Sequence, residues 1–101
     1  MSAARLERLA AGRWCLSGGL TLASVGDLIA QGPRLAADGG DVELDLADVE
    51  NSSSAGVALL LEWEEQIHRG GGTLRLHNCP EALARIAEFS NVDGLLGLDL
   101  A

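Results

Sequence analysis

The sequence predicts an α/β domain, a four-stranded mixed β-sheet with about three helices. Three observations carry that prediction. DVELDLADV alternates apolar and acidic residues as a half-buried strand does, an apolar stripe at helical spacing follows it, and strand-like and helical segments keep alternating along the chain. Strands joined through helical crossovers lie parallel, so the order β-β-α-β-α-β-α gives a mixed sheet with a parallel centre.

Taken in order, residues 4–9 (ARLERL) form an edge strand and Ala11-Gly12 a turn. Arg13 to Ser17 make a second strand with Trp14 and Leu16 on one face, ended by Gly18-Gly19. Helical spacing begins at Ser24, the expected cap, with Val25, Leu28, Ile29 and Leu35 on one stripe. Pro33 is expected to kink or split that helix near Gly32, and Asp38-Gly39-Gly40 closes it. Val42, Leu44 and Leu46 then face inward from the third strand.

The strongest helix spans about Ala55 to His68, where Gly56, Leu59, Leu60, Trp63 and Ile67 share one core-facing stripe. Gly70-Gly71-Gly72 stops it. Thr73 to His77 form the last strand, with Leu74 and Leu76 inward. Cys79-Pro80 opens a final helix, Pro80 in its first position, and Leu83, Ile86, Ala87 and Ser90 follow at helical spacing.

Length and charge narrow the function. The chain has 101 residues, and the whole of 1–101 is read as one domain. Apolar residues make up 48% and aromatics only 3%, so aliphatic side chains must build the core. The formal charge is −8, and such a balance repels nucleic acid and anionic membrane surfaces. No apolar run reaches the roughly 20 residues that span a bilayer, so direct membrane insertion is not expected. Arg5, Arg8 and Arg13 interrupt any secretory signal, which makes a cytoplasmic protein with reduced thiols the expectation.

Catalytic chemistry finds little support. His68 and His77 read as surface residues, and His77-Asn78-Cys79 lacks the second ligand pair of a zinc site. Cys15 reads as a small buried hydrophobe, and Cys79 as a capping or packing residue at a helix start. The three consecutive glycines follow a helix and precede a strand, the reverse of a phosphate loop. Glu62, Glu64 and Glu65 form a solvated helix face. No enzyme, metal or cofactor is expected.

Ser52, Ser53 and Ser54 stand where a strand hands over to a helix. One of them caps that helix, a role worth about 1 kcal/mol. The same turn lies where α/β folds place ligands and contacts, and a phosphate added there meets the helix dipole and free N–H groups. Val57 and Leu61 fall outside the core stripe and are expected to be partly exposed. With Ser54, and with Leu28 or Ile29 of the preceding helix, they make a candidate partner surface.

The stretch LDLADVENSSSAGVALLLEW resembles the signature region of STAS domains, the family of anti-sigma factor antagonists and sulfate-transporter cytoplasmic tails. In that family a strand ending in Asp-Leu leads through a short loop into Asp-Ser/Thr-small-Gly at a helix start. Here Asp45-Leu46 match the strand end, and Ser53-Ser54-Ala55-Gly56 occupy the motif, with Ser53 in place of the usual Asp. The resemblance puts the phosphorylatable or partner-contacting hydroxyl at Ser54 and the motif glycine at Gly56. LSGGLT (16–21) is similar to the family's earlier Gly-x-Leu turn.

Within the family, GVALLLEW resembles the small stand-alone subunit of Mla phospholipid transporters. This implies a non-enzymatic accessory subunit that binds the transporter's cytoplasmic ABC ATPase (MlaF-like) and stabilises or regulates it, peripheral to the inner membrane. The alternative is an anti-sigma factor antagonist, phosphorylated at Ser54 by an anti-sigma factor kinase. A third possibility, a small-ligand module with an anion at the helix N-terminus, lacks the basic side chains it needs near the turn.

Overall fold

In the computed structural model, residues 4–37, 39–51 and 53–89 are described. β1 (Arg5–Ala10) and β2 (Arg13–Gly19) form an antiparallel hairpin, and β3 (Val42–Asn51) and β4 (Leu74–His77) extend the sheet in parallel to the order β1-β2-β3-β4. Gly12 turns the hairpin with φ 71°, a left-handed conformation that favours glycine. The expected four-stranded mixed sheet is present.

Period-two patterning decides which face is buried. Trp14, Leu16, Val42, Leu44, Leu46 and Leu74 point to one side and enter the core, while Arg13, Cys15, Glu43, Asp45, Arg75 and His77 point to the other. That second face stays open, and a side-chain hydrogen bond runs across it between His77 Nε2 and Glu43 Oε1, 2.9 Å apart.

Four helices are described rather than about three, because the helix interrupted by Pro33 separates into α1 (Leu22–Ile29) and α2 (Gly32–Ala36). Pro33 lies in the first turn of α2, where its missing N–H has no intrahelical partner to lose. The cap of α1 is Thr21, not Ser24. Ser24 is the third helical residue and returns the bond, its Oγ accepting from Thr21 N at 3.0 Å while Thr21 Oγ1 accepts from Ser24 N at 3.3 Å.

The long helix α3 runs Ser54–Arg69, and its whole expected stripe is buried, Trp63 at 0% exposure. The Trp63 indole N–H donates to the Leu28 carbonyl at 3.0 Å and so ties α3 to α1. The last helix, α4, spans Glu81–Phe89 with Leu83, Ala84 and Ala87 in the core. Pro80 stands one residue ahead of it, where its carbonyl accepts from Ala84 N at 3.0 Å, rather than inside the first turn. Ser90 and Asp38 lie outside the described residues.

Candidate functional site: the serine turn

Both ends of the turn are tied to the β2–α1 connection. β3 carries two more residues than β2 across their pairing, since Cys15 pairs with Asp45 but Gly19 with Asn51. These bulges bend β3 and bring its end beside Leu20. Ser53 then serves twice: its hydroxyl donates to the Leu20 carbonyl at 2.9 Å and accepts from Gly56 N at 3.3 Å. Ser24 Oγ donates in the same way to the Gly19 carbonyl at 2.8 Å.

Ser53 is thus the cap of α3, and Ser54 is its first residue, with its side chain exposed. Ala55 is half-buried against the core. Gly56 is buried, and a Cβ built on it would meet Leu20 Cδ1 at 3.1 Å and Leu83 Cδ1 at 3.3 Å. The motif glycine is therefore a close-approach residue. Ser52 lies outside the described residues. A shallow, open depression of about 540 Å³ lies at the turn, lined by residues that include Leu20, Leu22, Glu50, Asn51, Ser53 and Ser54.

Two of the expected surface residues, Val57 and Leu28, sit differently. Val57 is buried at 4% exposure, whereas Leu61 is half-buried, partly exposed as expected with the rest of its side chain packed on the core. The reason is that α3 is flanked by α1, α2 and α4, which widens its covered arc beyond the five-residue stripe. Leu28 is also buried, at 2%, and Ile29 packs against the core. The inward side of α1 takes both.

The exposed apolar residue near the turn is Leu22, at 87%. Its signal was Thr21 three residues before Ser24: a reciprocal cap starts the helix at Leu22, whereas a cap at Ser24 leaves Leu22 outside it.

The cysteines are not nucleophiles poised by their surroundings. Cys15 is half-buried on the open sheet face rather than in the core, 3.9 Å from Asp48 Oδ2, because it alternates with Trp14 and Leu16. Burial raises its thiol pKa, and the negative charges of Asp48, Asp45 and Glu7 raise it further. Burial also pushes the Cys79 thiol up. Asp45 is held below the usual carboxylate range, first by the Ala47 N–H and then by Asn78, which donates to it at 3.2 Å. His68 and His77 are exposed, as expected. Among the described residues no cluster of three His, Cys, Asp or Glu side chains could hold a metal ion, and no helix is long and apolar enough to cross a membrane.

A mixed sheet with this strand order, and a helix opening on a Ser-Ser-Ala-Gly turn against the β2–α1 connection, defines a STAS-type domain. Residues 5–97 match the family model described as "Mlab, STAS domain", and the chain belongs to that family. Among solved structures, that of the anti-sigma factor antagonist SpoIIAA in its unphosphorylated form is similar in fold. It has a TM-score of 0.71 at 18% identity, over 91% of this chain and 84% of that one. No match was found among curated proteins.

Proposed function

We propose that this chain is a non-enzymatic accessory subunit of an Mla-type ABC transporter. In this reading it sits at the inner membrane by binding the transporter's cytoplasmic ATPase subunit, which it stabilises or regulates. The process served is the phospholipid trafficking that maintains outer-membrane lipid asymmetry. The observation that carries the reading is the family match over residues 5–97. The serine turn suits the role physically, because an exposed hydroxyl on a hydrogen-bonded turn offers a partner a fixed shape at little ordering cost.

The test is co-expression and co-purification with the ATPase subunit of an Mla-type transporter from the same organism, using wild type and Ser54→Glu. An acid at the first helical position is mildly favourable to the isolated domain, by about 0.3–1 kcal/mol. In a desolvated contact the same unpaired carboxylate costs several kcal/mol. Wild type should therefore co-purify and the folded Glu variant should not. Absence of wild-type binding refutes the reading.

The exposed Ser54 hydroxyl at a helix N-terminus also favours a second reading, an anti-sigma factor antagonist switched by phosphorylation there. Ser53 in place of the usual Asp counts against it. Phosphate on Ser54, found by mass spectrometry of the protein isolated from its own cells, would decide for this alternative.

A further inference from the structure

Leu22 occupies the first turn of α1, is 87% exposed, and lines the same depression as Ser54. Only one other large apolar side chain is classed as exposed among the described residues, Leu9 on the β1 edge strand. A lone exposed leucine is ordinary. This one is not isolated: Ala23, Gly26 and Ala30 continue the exposed face of α1 from it, and a Cβ on Gly26 would meet nothing within 4 Å. The surface is small-featured and apolar along the helix, with its one large side chain beside the serine turn.

The charged side chains nearest it in the chain are acidic. The seven basic residues are all arginines, and none lies in 14–33 or 35–68, the stretches that hold α1, β3 and almost all of α3. Asp27 is exposed on α1 and Glu50 lines the depression, whereas Glu65, further along α3, is paired with Arg69 at 2.6 Å. A second copy would set acid against acid, and an anionic lipid surface or nucleic acid would be repelled. What complements this surface is a protein with an apolar socket bordered by Lys or Arg.

We propose that the α1–α3 end of the domain is a protein-docking surface, anchored by Leu22 and matched to a socket with a basic rim on its partner. The proposal rests on the accessory-subunit reading and names the chemistry of that partner's face. Leu22 touches too little of its own chain to matter for folding, so its loss should show in binding alone.

The probe is the purified ATPase subunit of the Mla-type transporter, titrated calorimetrically with wild type, Leu22→Ser, Leu22→Met and Asp27→Arg at low and high salt. Leu22→Ser should weaken binding about ten- to hundredfold with its melting temperature unchanged, while Leu22→Met stays near wild type. Asp27→Arg should weaken binding several-fold, and wild-type affinity should fall as salt rises. Wild-type affinity retained in Leu22→Ser overturns the docking surface and leaves the accessory-subunit reading standing. Affinity indifferent to both salt and Asp27→Arg overturns the basic rim. No binding by wild type removes the accessory-subunit reading, and this proposal falls with it.

Discussion

Replacing Gly56 with alanine sets two effects of similar size against each other, and the structure decides the sign. In a helix interior alanine is better than glycine by about 1 kcal/mol. Against this, the new Cβ would lie 3.1 Å from Leu20 Cδ1 and 3.3 Å from Leu83 Cδ1, where carbon atoms prefer roughly 3.5–4.0 Å. Both leucines are at 0% exposure, so neither methyl can retreat without displacing other core atoms. Overpacking of this kind costs about 1–3 kcal/mol. The net expectation is that Gly56→Ala destabilises by about 1 kcal/mol. Gly26→Ala is the control. Its Cβ meets nothing within 4 Å, so the propensity gain stands alone and the variant should be more stable by about 1 kcal/mol. The same substitution should thus separate the two proteins by about 2 kcal/mol, or roughly 8–16 °C in Tm for a chain of this length. Urea unfolding with unchanged m-values and thermal melts both report it. A Gly56→Ala variant as stabilised as Gly26→Ala would refute the close approach as the reason for the motif glycine.

The two serines of the turn should differ in the opposite way from their functional interest. Ser53→Ala removes both the α3 cap and the donor to the Leu20 carbonyl, and should cost about 1–2 kcal/mol in urea unfolding. Ser54→Ala should stay within about 0.5 kcal/mol of wild type. The thiols predict an alkaline limit. Because burial raises Cys79 above its ordinary value of 9.0, its contribution is fully present below that value and is lost as pH climbs through the folded-state pKa. Urea stability followed upward from about pH 8 should fall less steeply in Cys79→Ala than in wild type, and equal slopes would show that the thiol titrates alike in both states.

Strand alternation and the α3 stripe were legible in the sequence because each is a local pattern with one reading. The division at Pro33 was legible for the same reason. The chain could not reveal its neighbours. Val57 looks surplus on a helical projection of its own element, and only the packing of α3 among α1, α2 and α4 buries it, while Leu28 lies on the apolar stripe of α1 and faces inward with it. Cys15 looked like a core residue in an apolar segment, but alternation with Trp14 and Leu16 sends it to the open face. The turn itself was found by its serines, yet which serine caps depended on where β3 ends. That end is displaced by bulges that leave no plain mark in the residues. Leu22 was hidden by a single misassigned cap.

The bulges also explain why Ser54 is a good place to carry a signal. By advancing β3 two residues relative to β2, they set the start of α3 against the chain that starts α1. Three side-chain hydrogen bonds, from Ser24 to Gly19, from Ser53 to Leu20 and from Gly56 to Ser53, then hold both helix starts to the same short connection. None of them uses the Ser54 side chain. A change at Ser54, whether a carboxylate or a phosphate, therefore alters the charge of the surface without breaking a bond that holds it. The nearby helix N-terminus even favours the added negative charge. On the proposed reading, a partner must then sense the change directly, through repulsion or a lost contact at the turn, because the domain has no reason to rearrange. Amide chemical-shift changes in Ser54→Glu should accordingly stay confined to the turn and the start of α1. Shifts spreading through β4 and α4 would mean that the turn is a lever, and the rigid-platform argument would fail.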